Sequence, residues 1–194
     1  MQKNDTRLEK GSRVLIESCG HVTKEDSVLI VTDSNTACVG AYLYSAAKKI
    51  SANIVCVETK SVTNHGMEPE PFIAELMLKS DVIFGASQYS MAHTKARMSA
   101  TNKGARYLSL PDYSLEQLAS TALEINFLER ATVATKIKEI LDKGHSVRIT
   151  SPKGTILNLN IADRVANACP GFCDKPGMLG SPPDIETNIA PIEY

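Results

Sequence analysis

The sequence predicts an α/β fold with a mostly parallel sheet and helices on both faces, and three observations carry that prediction. Short apolar runs alternate with helical patterns four times between residues 27 and 142. The runs are near-continuously apolar rather than alternating, as expected of strands whose two faces are both covered by helices. The composition then changes near residue 145: six of the nine prolines lie beyond residue 150, among hairpin and loop patterns. Residues 1–144 are therefore read as a Rossmann-like α/β domain. Residues 145–194 are read as a β-hairpin and loop extension that begins a second, incomplete domain.

Each element has its own signal. Residues 5–19 place Leu8, Val14, Leu15 and Ile16 at helical spacing. Ser27–Thr32 is a β-branched run closed by Asp33-Ser34-Asn35, which reads as a buried strand followed by a helix cap. The helix spans about Thr36 to Ile50, with Ala41, Leu43, Ala46, Ala47 and Ile50 as its apolar stripe. Asn53–Val57 is the second strand, 59–71 a polar loop, and Pro71–Lys79 a helix with proline in its first turn. Asp81–Ala86 is the third strand. A helix over Met91–Lys103 ends at Gly104, a residue type suited to the left-handed position after a helix. Ala105–Ser109 is the fourth strand. Ser114 with Gln117 forms a capping box opening a helix to about Leu123, and a longer helix follows from about Asn126 to Asp142. His145–Thr150 and Gly154–Ile161 read as strands joined by a Ser-Pro-Lys-Gly turn.

Composition excludes several function classes. With 21 basic and 22 acidic residues the chain carries a net charge of -1, so no basic field points to nucleic acid or an anionic membrane. Tryptophan is absent and aromatics are few, which argues against base-stacking platforms. The polar start MQKNDTRLEKGSRVL has no apolar signal core, and no apolar run approaches the ~20 residues of a membrane span. A cytoplasmic protein is the expectation. Cys19, Cys38 and Cys56 read as small buried residues. Cys169 and Cys173 have three residues between them, where a redox motif wants two, and lack the two further ligands of a closed zinc site.

Two loops fall where doubly wound sheets bind ligands, at strand C-termini. Thr32–Thr36 offers hydroxyls and a helix N-terminus able to hold an anion, and plain capping explains the same residues. No glycine-rich phosphate motif accompanies it. The loop Ala86–Arg97 is richer, with Ser87, Ser90, His93 and Arg97. His93 and Arg97 are four apart and on one helix would share a face. A histidine there can orient substrate or move a proton, whereas Ser90 reads equally as a helix cap. Finally, Ser181–Tyr194 reads as a proline-bounded loop entering a short strand with Glu186 at its start, a good position for a metal ligand.

Three stretches together resemble a known family. They are Ser80-Asp81 through Ser90-x-x-His93-Thr94-x-Ala96-Arg97 to Gly104-Ala-Arg106, then Gly154-Thr155-Ile-Leu, then Pro183-Asp-Ile-Glu186-x-x-Ile-Ala-Pro191-x-Glu193. In this order they resemble the aminopeptidase T family of metal-dependent leucyl aminopeptidases. That superfamily also includes dihydroxypyridine ring-opening dioxygenases that use non-haem iron. The resemblance implies an N-terminal α/β domain followed by a metal-bearing domain. It makes Glu186 a metal ligand and, more loosely, His93 a residue facing the cleft; with the position of the Ala86–Arg97 loop, His93 is expected to be catalytic and Ser87, Ser90 and Arg97 to contact substrate. The partners it implies are a peptide or small-molecule substrate and either a second copy in a homo-oligomer (a dimer) or a further C-terminal domain. It implies a divalent metal (zinc, cobalt or similar, or iron in the dioxygenases) that this chain alone would not bind stably. The activity expected first is removal of N-terminal residues from peptides by a metalloprotease-type hydrolase. The alternatives are ring cleavage by a non-haem iron dioxygenase and a non-catalytic small-molecule-binding domain. Family members are roughly twice this length, so an N-terminal portion of a longer enzyme is expected.

Overall fold

The structure, a computed structural model, describes residues 2–193. Two compact units are present. One runs from the chain's start to Ile125 and takes in Gly171–Pro183; the other comprises Asn126–Pro170 and the segment from Asp184 onward. The stretch after residue 145 that composition sets apart is thus shared between them.

The first unit is a five-stranded sheet. Its strands are β1 (Val28–Thr32), β2 (Ile54–Glu58), β3 (Val82–Gly85), β4 (Arg106–Ser109) and β8 (Leu179–Gly180), in the order β2-β1-β3-β4-β8. Every pairing is parallel. The α/β expectation holds, with α1 (Gln2–Arg13), α2 (Ala37–Ala47), α3 (Pro71–Met77), α4 (Lys95–Asn102) and α5 (Leu115–Leu118) flanking the sheet. Alternation along each strand decides what packs where. Leu29, Val31, Ile83 and Tyr107 form one cluster with Ile73 and Met77 of α3 and Ala96 and Ala100 of α4. Residues of the other parity meet the opposite layer: a Cβ added at Gly40 of α2 would lie 2.4 Å from Thr32 Cγ2, and one at Gly20 would lie 2.7 Å from Phe84 Cζ. Helix α1 runs on into a π-helical turn, Val14–Cys19, that buries Leu15, Ile16 and Cys19 completely.

Polar contacts fix the strands at their N-terminal ends. Asp81 accepts from the amide of Ser27 at 2.8 Å and from its hydroxyl at 2.7 Å, which joins the entries to β1 and β3. Those hydrogen bonds, and then the charge of Arg106, hold the Asp81 carboxyl below its ordinary value. Arg106 also pairs with Asp26 at 2.7 Å, and both side chains are largely shielded from water.

Five sequence expectations change. Strand β2 is not a covered strand: it stands at the sheet edge, and Val55 and Cys56 are exposed. Cys38 is exposed as well, so only Cys19 of the three is the small buried residue expected. The helix expected from Met91 begins at Lys95, because Thr94 and not Ser90 caps it, its hydroxyl accepting from the Arg97 amide. The fifth strand, β8, comes from a stretch read as loop. The capping box at Ser114 and Gln117 is present as expected, but its helix is a single turn followed by a 3-10 turn, Thr121–Glu124.

The second unit holds α6 (Phe127–Lys143), the antiparallel hairpin of β5 (Ser146–Thr150) and β6 (Ile156–Asn160), and the antiparallel pair β7 (Asn167–Cys169) and β9 (Glu186–Asn188). Asn126 caps α6 by accepting from the Glu129 amide. The hairpin turn uses Gly154 at a φ of 96°, a conformation that favours glycine. Thr187 donates to the Ala134 carbonyl at 2.8 Å, and the Ala166 amide donates to Asp142 at 2.7 Å, which fastens the β7/β9 pair to α6.

Candidate functional site

The sheet order places a topological switch between β1 and β3, since β2 leaves β1 on one side and β3 on the other. Loops diverge at the carboxyl ends of two such strands and open a crevice, the usual ligand position in doubly wound sheets. The two loops singled out in the sequence are the ones that meet there.

Asp33 ties them. It is 1% exposed. Its Oδ1 accepts from the amides of Asn35 (3.0 Å) and Thr36 (3.2 Å) and from the Thr36 hydroxyl (3.1 Å). Its Oδ2 accepts from the Gln88 amide at 2.7 Å, across the crevice. A second bridge runs from Asn35 Nδ2 to Gln88 Oε1 at 2.8 Å. The anion-holding capacity expected of the Thr32–Thr36 loop is therefore met by the chain's own carboxylate.

No local pattern places His65 here, yet the fold brings it to the second loop. Its Nδ1 accepts from the Ser90 amide at 3.0 Å, the Gly66 amide donates to the Ser90 carbonyl at 2.8 Å, and the ring meets Tyr89 edge-on with centroids 5.3 Å apart. Because Nδ1 is the acceptor, a neutral His65 carries its proton on Nε2. Ser90 Oγ accepts from the Ala92 amide and lies 3.3 Å from Ser109 Oγ, at the end of β4.

The remaining predicted residues are placed as follows. Ser87 is buried and donates to the Tyr89 carbonyl at 2.9 Å, shaping the loop from within. His93 is exposed and precedes α4, so it does not share a helix face with Arg97 as the spacing suggested. Arg97 is half-buried; its Nε donates to the Ala92 carbonyl at 2.5 Å and its Nη1 to Thr101 Oγ1 at 3.2 Å. Burial lowers its affinity for the proton, and the nearby Tyr107 offsets this in part. The N-terminus of α4 is already occupied: Glu68 accepts from the amides of Lys95 (2.6 Å) and Ala96 (3.1 Å). A separate groove of about 390 Å³ is lined by α1, α2 and the turn between α1 and β1, including Glu9, Arg13, Tyr42 and Lys49, and neither crevice loop contributes to it.

Glu186 belongs to the other unit. It is the first residue of β9, as expected, and sits opposite Cys169. It is exposed, and its Oε1 accepts from Asn188 Nδ2 at 2.9 Å. Among the described residues no three His, Cys, Asp or Glu side chains are grouped to hold a metal ion. A catalytic divalent ion takes about three protein ligands. The described residues do not fit one, and Glu186 supplies a single carboxylate. Cys169 and Cys173 are not joined in a disulfide; Cys173 is buried and directs its Sγ to the Tyr107 carbonyl at 3.4 Å.

Comparison with known proteins bears on this arrangement. The family model of 2,5-dihydroxypyridine 5,6-dioxygenases, NicX, matches residues 10–186. The chain belongs to the NicX family. Among solved structures it is similar to 2,5-dihydroxypyridine dioxygenase from Pseudomonas putida KT2440, with a TM-score of 0.76 and 17% identity over 96% of this chain and 56% of that one. It is also similar to wild-type AmpT from Thermus thermophilus, with a TM-score of 0.64 and 12% identity over 96% of this chain and 62% of that one. Identities this low establish a shared fold. The chain thus spans little more than half the length of either protein. No curated protein sequence matches it. Of the two branches suggested by the sequence resemblance, the family model selects that of the NicX dioxygenases, and the likeness to AmpT is one of fold. No helix among the described residues is long and apolar enough to cross a membrane.

Proposed function

We propose that this chain is the α/β portion of an oxygenase that opens the ring of a dihydroxypyridine, with its β1/β3 crevice on the substrate side. The observation that carries the reading is the NicX family match across residues 10–186, which takes in every element of the crevice. The chemistry of the crevice suits such a substrate. Gln88, Asn35 and Ser90 present amide and hydroxyl groups, and His65 presents an Nε2–H donor. Hydroxyl and ring-nitrogen groups of a flat heteroaromatic are recognised by a few polar groups of this kind.

In this proposal Ser90 and His93 contact substrate and His93 holds or moves a proton at the ring. Ser87 and Arg97 act one step back: Ser87 shapes the loop through Tyr89, and Arg97 fixes the Ala92 carbonyl just before His93. Iron would supply the oxygen chemistry, and Glu186 is proposed as one of its ligands in the intact protein. No reaction step is derived through it, because the described residues do not assemble such a site. A hydrolytic, aminopeptidase-type reaction is the weaker reading, supported by fold alone.

The test uses the intact protein that carries this chain, supplied with ferrous iron under air. Consumption of oxygen with 2,5-dihydroxypyridine and loss of the ring's ultraviolet absorbance support the reading. Release of N-terminal residues from peptides without oxygen uptake would replace it with the hydrolytic one.

A further inference from the structure

The loops that leave β1, β2, β3 and β4 at their carboxyl ends, residues 33–36, 59–70, 86–94 and 110–114, hold four carboxylates: Asp33, Glu68, Glu70 and Asp112. Three are engaged within the chain. Asp33 accepts from the amides of Asn35, Thr36 and Gln88. Glu68 accepts from the α4 amides of Lys95 and Ala96. Glu70 accepts from the Thr59 hydroxyl at 2.7 Å and from the Lys60 amide at 3.0 Å. Asp112 differs: it is exposed, and no described residue hydrogen-bonds or ion-pairs with its carboxylate. Its backbone, by contrast, is fixed. The Asp112 amide donates to the Ser87 carbonyl at 3.1 Å and the Leu110 amide to the Gly85 carbonyl at 2.9 Å, which carries the β3/β4 pairing past the strand ends. Pro111 precedes it and the buried Tyr113 follows it. A φ of 51° turns Asp112 into the left-handed region, which aspartate enters more readily than most side chains and which recurs at ligand sites. The chain leaves β1 and β4 toward one face, where α2 and α5 both meet α1, and leaves β3 toward the other, where α4 meets α3. Ser87 and Gln88 are therefore bracketed at the crevice floor: Asp33 and Asn35 hold Gln88 from the β1 side, and Asp112 holds Ser87 from the β4 side.

We infer that Asp112 is a specificity-determining residue of the crevice, whose carboxylate accepts a hydrogen bond from an acidic ring hydrogen of the substrate, a ring hydroxyl or a ring N–H. The inference rests on the hydroxypyridine reading of the site. The other crevice groups favour it. Gln88 Oε1 already accepts from Asn35, Ser90 Oγ from the Ala92 amide, and His65 Nδ1 from the Ser90 amide. A ligand that donates therefore meets one unengaged charged acceptor on these four loops, Asp112. A hydrogen bond to a carboxylate is of the stronger kind. A site built around such a bond rejects an analogue that lacks the hydrogen, because the acceptor is then left unpaired.

Calorimetric binding to the intact protein that carries this chain, under argon so that no turnover intervenes, tests it. The ligands are 2,5-dihydroxypyridine, its 5-methoxy analogue and its N-methyl-2-pyridone analogue; the two methylated forms tell the ring hydroxyl from the ring N–H. Asp112→Gly removes the acceptor and suits the left-handed backbone, and Asp112→Asn keeps the shape with a neutral acceptor. The wild type is expected to bind the parent compound about tenfold or more tighter than the analogue lacking the recognised hydrogen. Asp112→Gly is expected to weaken binding of the parent about tenfold or more and to leave binding of that analogue unchanged, with Asp112→Asn between, while both variants keep the wild-type melting temperature. Folded variants that bind the parent as the wild type does, or that keep its preference over both analogues, overturn the inference and leave the hydroxypyridine reading intact. A folded wild type that binds no hydroxypyridine overturns that reading and the inference with it.

Discussion

Exchanging Asp33 for asparagine replaces one carboxylate oxygen with an NH2 group, at the point where the two crevice loops are joined. The remaining oxygen can still accept from Asn35 and Thr36. The new NH2 group then faces the Gln88 amide, donor against donor, at what is now a 2.7 Å hydrogen bond. A hydrogen bond to a charged group contributes about 1.5–3 kcal/mol net, and a buried donor left without a partner costs about 1–3 kcal/mol. The two overlap, because the lost bond and the stranded amide are the same interaction, so a destabilisation of about 2–4 kcal/mol follows. With a urea slope of about 2 kcal/mol/M, the unfolding midpoint should fall by about 1–2 M. Amide exchange adds spatial resolution: Gln88 and its loop should lose protection more than β1 and β3, which the substitution does not touch. A midpoint within about 0.2 M of wild type, with Gln88 still protected, would refute the claim that Asp33 holds the crevice together.

Further outcomes follow from other contacts. Asp81→Asn should destabilise the protein at neutral pH by about 1–3 kcal/mol. The folded Asp81 carboxyl is held below its ordinary value, so its contribution is present above the unfolded value of about 3.9 and lost as pH falls through the lower folded one. The gap between wild type and variant should therefore close in urea titrations carried down to acid pH. Gly85→Ala places a Cβ 1.9 Å from Tyr107 Oη in a fully buried site where no described residue partners that hydroxyl. Overpacking of about 1–3 kcal/mol or more should appear as a lowered melting temperature. Burial, reinforced by Cys173, raises the Cys19 thiol to about 12. A thiol reagent at pH 8 should therefore modify exposed Cys38 first, Cys56 more slowly because partial burial raises its thiol as well, and Cys19 only on unfolding. His65→Ala should speed exchange of the Ser90 amide and, in the proposed reaction, raise KM more than it lowers kcat.

The parts legible in the sequence are those whose signal is local. β1 and β3 show as β-branched runs because both their faces are buried, and the capping box shows as Ser114 and Gln117, three residues apart. β2 has the same composition as those strands, and nothing local says that it stands at the edge; strand order is a property of the whole sheet. β8 is two residues long, too short for any periodicity. The start of α4 was ambiguous because Ser90 and Thr94 are both good caps. The choice is made by Glu68, which occupies the α4 amides from 27 residues away. For the same reason His65 was not found: it lies in a polar loop, and its tie to Ser90 spans 25 residues. The crevice loops were found because their position at strand ends is itself a sequence feature. No set of metal ligands was legible, because such a set requires several segments and the sequence pattern singles out only Glu186, which the structure leaves without two further ligands among the described residues.

Oxygen consumption is the most direct test of the central claim. The intact protein with ferrous iron, given 2,5-dihydroxypyridine in an oxygen electrode, is expected to take up one oxygen molecule per ring lost, and His93→Ala should abolish that uptake without unfolding the protein. No uptake by a folded, iron-loaded wild-type protein would contradict the account.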